Sequence, residues 1–288
     1  MNESNAKTIK RRKTKGGRTI PGFSLTMGVT IAMLSVFILI PLASVFVYAF
    51  KMSPAEFFET VTQSAVLYAF RTSIVSALIA AAINCVFGVI LAWVLVRYDF
   101  PLKRLIDGLI ELPFALPTAV AGITLSKMYS STGVLGGLLG KIGIEVSYTH
   151  LGIIVALVFI GIPFVVRAIQ PVLEKFDKQY EEAAYILGAN KRVTFFRVIL
   201  SELRPAILTG FGLAFARGLG EYGSVIYISG NSVKDHTQVV SYVIMQKLNY
   251  IDYEGATCIA LVLLIISFLL LLFINIVQMR QSRRTNDL

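Results

Sequence analysis

Histidine, the side chain most often recruited to move protons near neutral pH, occurs at His150 and His236, and neither has a catalytic or metal-binding partner at motif spacing. No His-Glu-x-x-His or Gly-x-Ser-x-Gly pattern is present. Cys85 and Cys258 lie inside apolar runs, without the paired spacing of a metal knuckle, and read as small hydrophobes. Gly218, Gly220 and Gly223 spell the glycines of a dinucleotide-binding turn, but that turn follows a strand in a βαβ unit, which an apolar span cannot supply. The stretch 136–143, GGLLGKIG, lacks the first Gly and the Ser/Thr of a phosphate loop. The chain therefore reads as non-enzymatic, with no ATP, cofactor or metal site of its own. What remains is Arg217 and Glu221, four residues apart and able to pair on one helical face. An unpaired charge at membrane depth costs about 2.5–3.5 kcal/mol, so pairing is expected. The pair serves either as a gate in a polar pathway or as a clamp between helices.

The elements that must carry these residues are apolar. Of 288 residues, 56% are hydrophobic and 15% charged, and the mean hydropathy is +0.72. Those values exclude an ordinary soluble domain. Charge-free runs cover 19–50, 72–96, 146–166 and 255–279, each long enough to cross a bilayer. Two weaker segments complete an all-α bundle of about six spans, near 24–50, 72–96, 109–130, 146–167, 204–228 and 256–279. The expected organisation is a basic tail (1–20), one membrane domain (21–280) with a polar loop near 174–204, and a short tail (281–288).

Charge distribution sets the orientation. With the N-terminus inside, 20 of the 27 Lys and Arg residues fall in cytoplasmic segments and seven in outer ones. Both termini and the 174–204 loop are therefore expected in the cytoplasm. The net charge of +10 follows this topogenic pattern and the basic tail's contact with lipid, rather than nucleic-acid binding.

Two irregular spans mark a candidate pathway. Pro113 and Pro117 in ELPFALPTAVAG (111–122) bend a helix and free backbone carbonyls. Inside a bilayer such backbone is tolerated where it is buried in protein or lines a cavity, and Thr118 adds a hydroxyl there. In the fifth span, Arg217 lies 13 residues beyond Arg204, or about 20 Å along a helix. That places it in the outer half of the hydrocarbon core, with Glu221 beside it.

The stretch 181–205, EEAAYILGANKRVTFFRVILSELRP, carries charge throughout and interrupts the apolar pattern. Tyr180, Ala183, Ala184 and Leu187 share one helical face, and Glu181 and Glu182 occupy the first turn, where the helix dipole favours acids. Gly188 is placed to end that helix in the left-handed conformation. A second helix is expected from about Lys191 to Leu203.

This stretch resembles the cytoplasmic EAA loop of permease subunits of ATP-binding-cassette importers. Glu182, Ala183, Ala184, Gly188, Val198 and Leu200 fall at that family's spacing. Ser201 stands where the family usually has Pro, so Pro205 is expected to supply the break before the next helix. The segments 111–122, IPFVVRAIQPVLE (162–174) and ARGLGEYGSVIYISGN (216–231) are similar to the sulfate and thiosulfate branch, on its T-type side. The resemblance implies the type I importer permease fold in a bacterial plasma membrane. It also implies a W-type permease partner, two ATPase subunits that hold ATP and magnesium, and an extracytoplasmic sulfate-binding protein. Glu181, Glu182, Ala183, Ala184, Leu187 and Gly188 would contact the ATPase. Molybdate and tungstate permeases share parts of these motifs. An ion-coupled secondary anion carrier is the alternative from another class, with Glu221 as its titratable group.

Overall fold

The computed structural model describes residues 23–286, and all regular structure among them is helical. The basic tail expected at 1–20 lies outside the described residues; of the C-terminal tail, residues as far as Asn286 continue the last helix. The chain divides into two compact units, 1–47 and 48–288.

The first unit is built on one apolar rod. Helix α1 (Phe23–Leu34) passes through a π-helical turn (Ser35–Leu39) into α2 (Ile40–Ala49). The π turn has a local cause: Pro41 has no N–H to give the Phe37 carbonyl, and the ladder is widened there, with Ile40 N–H donating to Ser35 O. Apolar residues are exposed around the whole circumference, Leu25, Ile31, Phe37 and Ile40 among them. A helix apolar on every side is suited to lipid or to other protein, not water.

The second unit opens with α3 (Pro54–Thr62), fixed by a capping box. The Ser53 hydroxyl accepts from Glu56 N–H, and the Glu56 carboxylate accepts from Ser53 N–H at 2.9 Å. That backbone hydrogen bond holds the Glu56 carboxyl below its usual range. Helix α4 (Ser64–Arg97) then runs 34 residues, about 51 Å. Short helices α5 (Lys103–Ile110), α6 (Leu112–Ala115), α7 (Thr118–Tyr129) and α8 (Val134–Gly140) lead to the long α9 (His150–Lys175). Next come α10 (Gln179–Ile186), α11 (Lys191–Val193), a π-helical segment (Thr194–Ile199) and α12 (Leu200–Leu219). Helices α13 (Val225–Ile228), α14 (Val240–Asn249) and α15 (Tyr253–Asn286) complete the chain.

Helices α4, α9 and α12 form the centre, and α15 packs against α12 and α14. Their contacts use small residues, because without a water-driven hydrophobic effect inside lipid, close backbone approach supplies the attraction. Ala77, Ala80, Ala81 and Ala92 of α4 are buried against Ile153, Ala156, Val165 and Ile169 of α9 and Ala214 and Phe215 of α12. Gly88 and Gly210 lie on either side of Val165: a Cβ on Gly88 would meet Val165 Cγ1 at 2.6 Å, and one on Gly210 would meet Val165 Cα at 2.8 Å.

Five helical stretches among the described residues are long and apolar enough to cross a membrane: Leu25–Ala49, Ser64–Arg97, His150–Lys175, Lys191–Leu219 and Tyr253–Met279. The sixth, expected near 109–130, is broken into α5, α6 and α7. Leu116 is extended because Pro117 follows it, and no helical hydrogen bond bridges that point. Three further boundaries differ from expectation. Helix α4 begins at Ser64, so Arg71 lies within it. The stretch expected at 204–228 starts instead at Lys191 and absorbs the second half of the polar loop, and Pro205 does not break it. It also ends at Leu219, so 220–228 is a turn followed by α13 rather than the outer half of a span.

Candidate functional site

Helix α10 is locked at both ends. The Asp177 carboxylate accepts from Gln179 N–H at 2.9 Å before its first turn. At its end, Gly188 N–H donates to Tyr185 O (3.0 Å) and Ala189 N–H to Ala184 O (2.9 Å), with Gly188 at φ +83°. These two bonds are the Schellman arrangement that a left-handed glycine permits. One residue later, Asn190 Oδ1 accepts from Val193 N–H at 2.9 Å and caps the next helix. The chain thus reverses between Leu187 and Lys191 with little freedom.

The faces of α10 divide more sharply than helical spacing predicts. Ala184 is buried against its own chain, so it is not available to a partner's groove. Glu181 is turned inward and paired with Arg97. Tyr180, Glu182 and Ala183 are exposed, and Ile186 and Leu187 are 86% and 87% exposed. Ile186, which the spacing argument passed over, therefore belongs to the outer face. Beside this helix, Pro171, Phe176, Tyr180, Val198 and Glu202 line an open cleft of about 570 Å³.

A second charge cluster ties the broken span to α9. Arg167 donates from Nη1 to Asp107 Oδ1 (2.8 Å) and pairs through Nη2 with Glu111 Oε1 at 2.7 Å. Asp107 and Glu111 are four apart, so both carboxylates face one cation. That i, i+4 acidic pair was the signal in the sequence, but its cation lies 60 residues away.

The two motifs 111–122 and 216–231 meet in space. Helices α7 and α13 pack together, and a Cβ on Gly122 would meet Ser224 O at 2.3 Å. One on Gly223 would meet Thr118 Oγ1 at 2.1 Å. Thr118 is half-buried at this junction, Pro113 is buried and Pro117 exposed. The expected ion pair is formed: Arg217 Nη1 donates to Glu221 Oε2 at 2.6 Å. Glu221 also accepts from Ser224 N–H (2.8 Å) and Ser224 Oγ (3.1 Å), and its backbone carbonyl accepts from Ser241 Oγ at 2.6 Å. The Glu221 side chain is 2% exposed and that of Arg217 is 37% exposed. The carboxylate is thus an internal brace of the turn that follows α12, while Arg217 keeps donor capacity at the surface. Arg217 stands in the last turn of α12, where the helix dipole favours a cation.

Residues 84–287 match the family described as binding-protein-dependent transport system inner membrane component. The chain is 46% identical over 267 residues to the sulfate transport system permease protein CysT of Escherichia coli (strain K12), covering 93% of this chain and 96% of that protein. It is 40% identical over 264 residues to the CysT protein of Synechocystis sp., covering 92% of each. Among solved structures, it is similar to a chain of a bacterial ABC transporter involved in the import of the acidic polysaccharide alginate. That likeness has a TM-score of 0.74 and 18% identity, and covers 90% of this chain and 96% of that one, which establishes a common fold.

Proposed function

Because the chain belongs to the family of inner membrane components of binding-protein-dependent transport systems, we propose that it is the permease subunit of an ATP-driven importer of sulfate and thiosulfate. It is a multi-pass membrane protein, with both termini and α10 on the cytoplasmic side. A related W-type permease subunit completes the pathway, and an extracytoplasmic sulfate-binding protein delivers the anion. Two ATPase subunits hold ATP and magnesium, and this chain hydrolyses nothing itself.

One observation carries the coupling role: a short helix with fixed ends presents Tyr180, Glu182, Ala183, Ile186 and Leu187 outward, beyond what its own chain needs. An apolar patch with one acid suits a groove on a folded partner. Gly188 and Asn190 make the reversal stiff, so displacement of α10 is passed into α9 and α12 rather than absorbed in the loop. On the opposite side of the membrane, Ser126, Lys127, Ser130, Thr132, Tyr148 and Tyr227 line an open cleft of about 360 Å³. Hydroxyls and cations there and at Arg217 suit a strongly hydrated dianion, which needs replacement donors as it sheds water.

The ion-coupled alternative loses ground at Glu221. Its carboxylate is already held by Arg217 and by the Ser224 N–H and hydroxyl, which fits a fixed structural partner. Uptake of labelled sulfate by cells expressing the full importer tests the proposal. ATP depletion is expected to stop uptake, while a protonophore at constant ATP leaves it within about twofold. Uptake that collapses with the protonophore at constant ATP supports a secondary carrier. Competition by thiosulfate but not molybdate is expected, and the reverse order reassigns the anion.

A further inference from the structure

Helix α10 is joined through the chain to α9 on one side and to α12 on the other, but α4 has no such connection. We propose that Arg97 is a positioning residue that fastens α10 to the inner end of α4, so that movement of the docking helix reaches this central span directly. The inference rests on the reading of α10 as the helix that meets the ATPase.

Arg97 occupies the last turn of α4, and Glu181 the first turn of α10. Each charge is favoured by its own helix dipole, so the ends are already polarised for pairing. The guanidinium carbon lies 5.3 Å from the Trp93 ring centre and 5.9 Å from that of Phe176. Trp93, the sole tryptophan of the chain, in turn meets Phe195 edge-on at 5.2 Å. Phe176 follows the end of α9, and Phe195 belongs to the π-helical segment before α12. The end of α9 therefore meets this guanidinium through Phe176, and the π-helical segment reaches it indirectly, through Trp93.

The two side chains are 13% and 18% exposed, so salt screens this pair less than a surface bridge. Its residues are 84 apart in the chain, and the packing of α10 is otherwise directed to the π-helical segment. The guanidinium adds to that packing a planar fork close to two aromatic rings, which ties α10 to α4 as well.

The test uses the complete importer, with its second permease subunit, ATPase subunits and binding protein, reconstituted in vesicles. Arg97→Gln and Glu181→Gln are each expected to keep the ATPase subunits bound. ATP hydrolysis stays within about twofold, while sulfate imported per ATP falls by about tenfold. The double variant Arg97→Gln/Glu181→Gln, which leaves no buried charge unpaired, is expected to lose no more than either single one. Unchanged sulfate per ATP in both single variants overturns the proposal. So does loss of the ATPase subunits in all three, which makes the pair a brace for the docking surface alone. A wild-type complex that neither binds ATPase nor imports sulfate contradicts the underlying reading instead, before any variant is compared.

Discussion

Around α10, oppositely charged side chains and aromatic rings join elements distant in sequence, whereas at the junction of α7 with α13, backbones touch because glycine leaves nothing between them. The first arrangement keeps an exposed face free for something else. The second buries its charge: Glu221 is satisfied internally by Arg217 and Ser224. One region therefore has contact capacity to spare, and the other has spent it on its own fold. Substitutions at the α7–α13 junction should reduce the amount of folded protein, and those on the outer face of α10 should reduce association while the fold survives.

The largest effect is expected from Arg217→Ala, which leaves a buried carboxylate without its cation. The loss is about 3 kcal/mol of stability, less whatever solvent reaches the partly exposed Arg217 side. Thermal unfolding of the purified protein in detergent measures it. Arg217→Ala/Glu221→Ala should regain only part of that loss, because Ser224 N–H then lacks its acceptor; if it also restores sulfate uptake, Arg217 acts as a brace and has no role with the anion. Gly122→Ala comes next, because its Cβ meets backbone, which cannot rotate away. A cost of about 1–3 kcal/mol should appear as lower membrane levels and a lower melting temperature. An unchanged melting temperature would show that α7 and α13 can separate, and the contrast between the two regions would weaken.

On the other side of the contrast, Gly188→Val forces a β-branched residue to φ +83°, at a local cost of about 1–2 kcal/mol. A Cβ there would meet no neighbouring element within 4 Å, so the bundle is expected to reach the membrane at near-normal levels while ATPase co-purification and uptake fall together. Normal uptake would separate the turn from coupling. Glu182→Lys should change stability least, by under about 0.5 kcal/mol, because the side chain is exposed. Its effect is expected in the amount of ATPase retained on purification.

How far each region can be read from sequence follows from the range of its interactions. Helix α10, its acidic first turn and the role of Gly188 are local, so spacing of about four residues is enough to find them. The inward turn of Glu181 is not local, since Arg97 comes from another helix. Buried Ala184 and exposed Ala183 also look alike until the packing is known. The segment 220–228 is apolar enough to pass for half a span, yet α12 stops at Leu219, and the Glu221 carboxylate holds Ser224 N–H in the turn that follows. Pro117 alone predicts a bend, but the restriction that it places on Leu116 makes it a complete break. Pro205 does the opposite. Losing one helical bond is tolerated there because Leu203 and Ala206 are buried beside it.

Coupling of this kind requires α10 to be the surface that meets the ATPase inside the cell. A photo-crosslinking side chain placed at Leu187, with another at Tyr148 on the opposite side as a control, tests this in intact membranes containing the whole importer. The expected result is an adduct between Leu187 and an ATPase subunit, with none from Tyr148. An adduct from Leu187 to an extracytoplasmic protein, or an ATPase adduct from Tyr148 with none from Leu187, would contradict both the orientation and the coupling role.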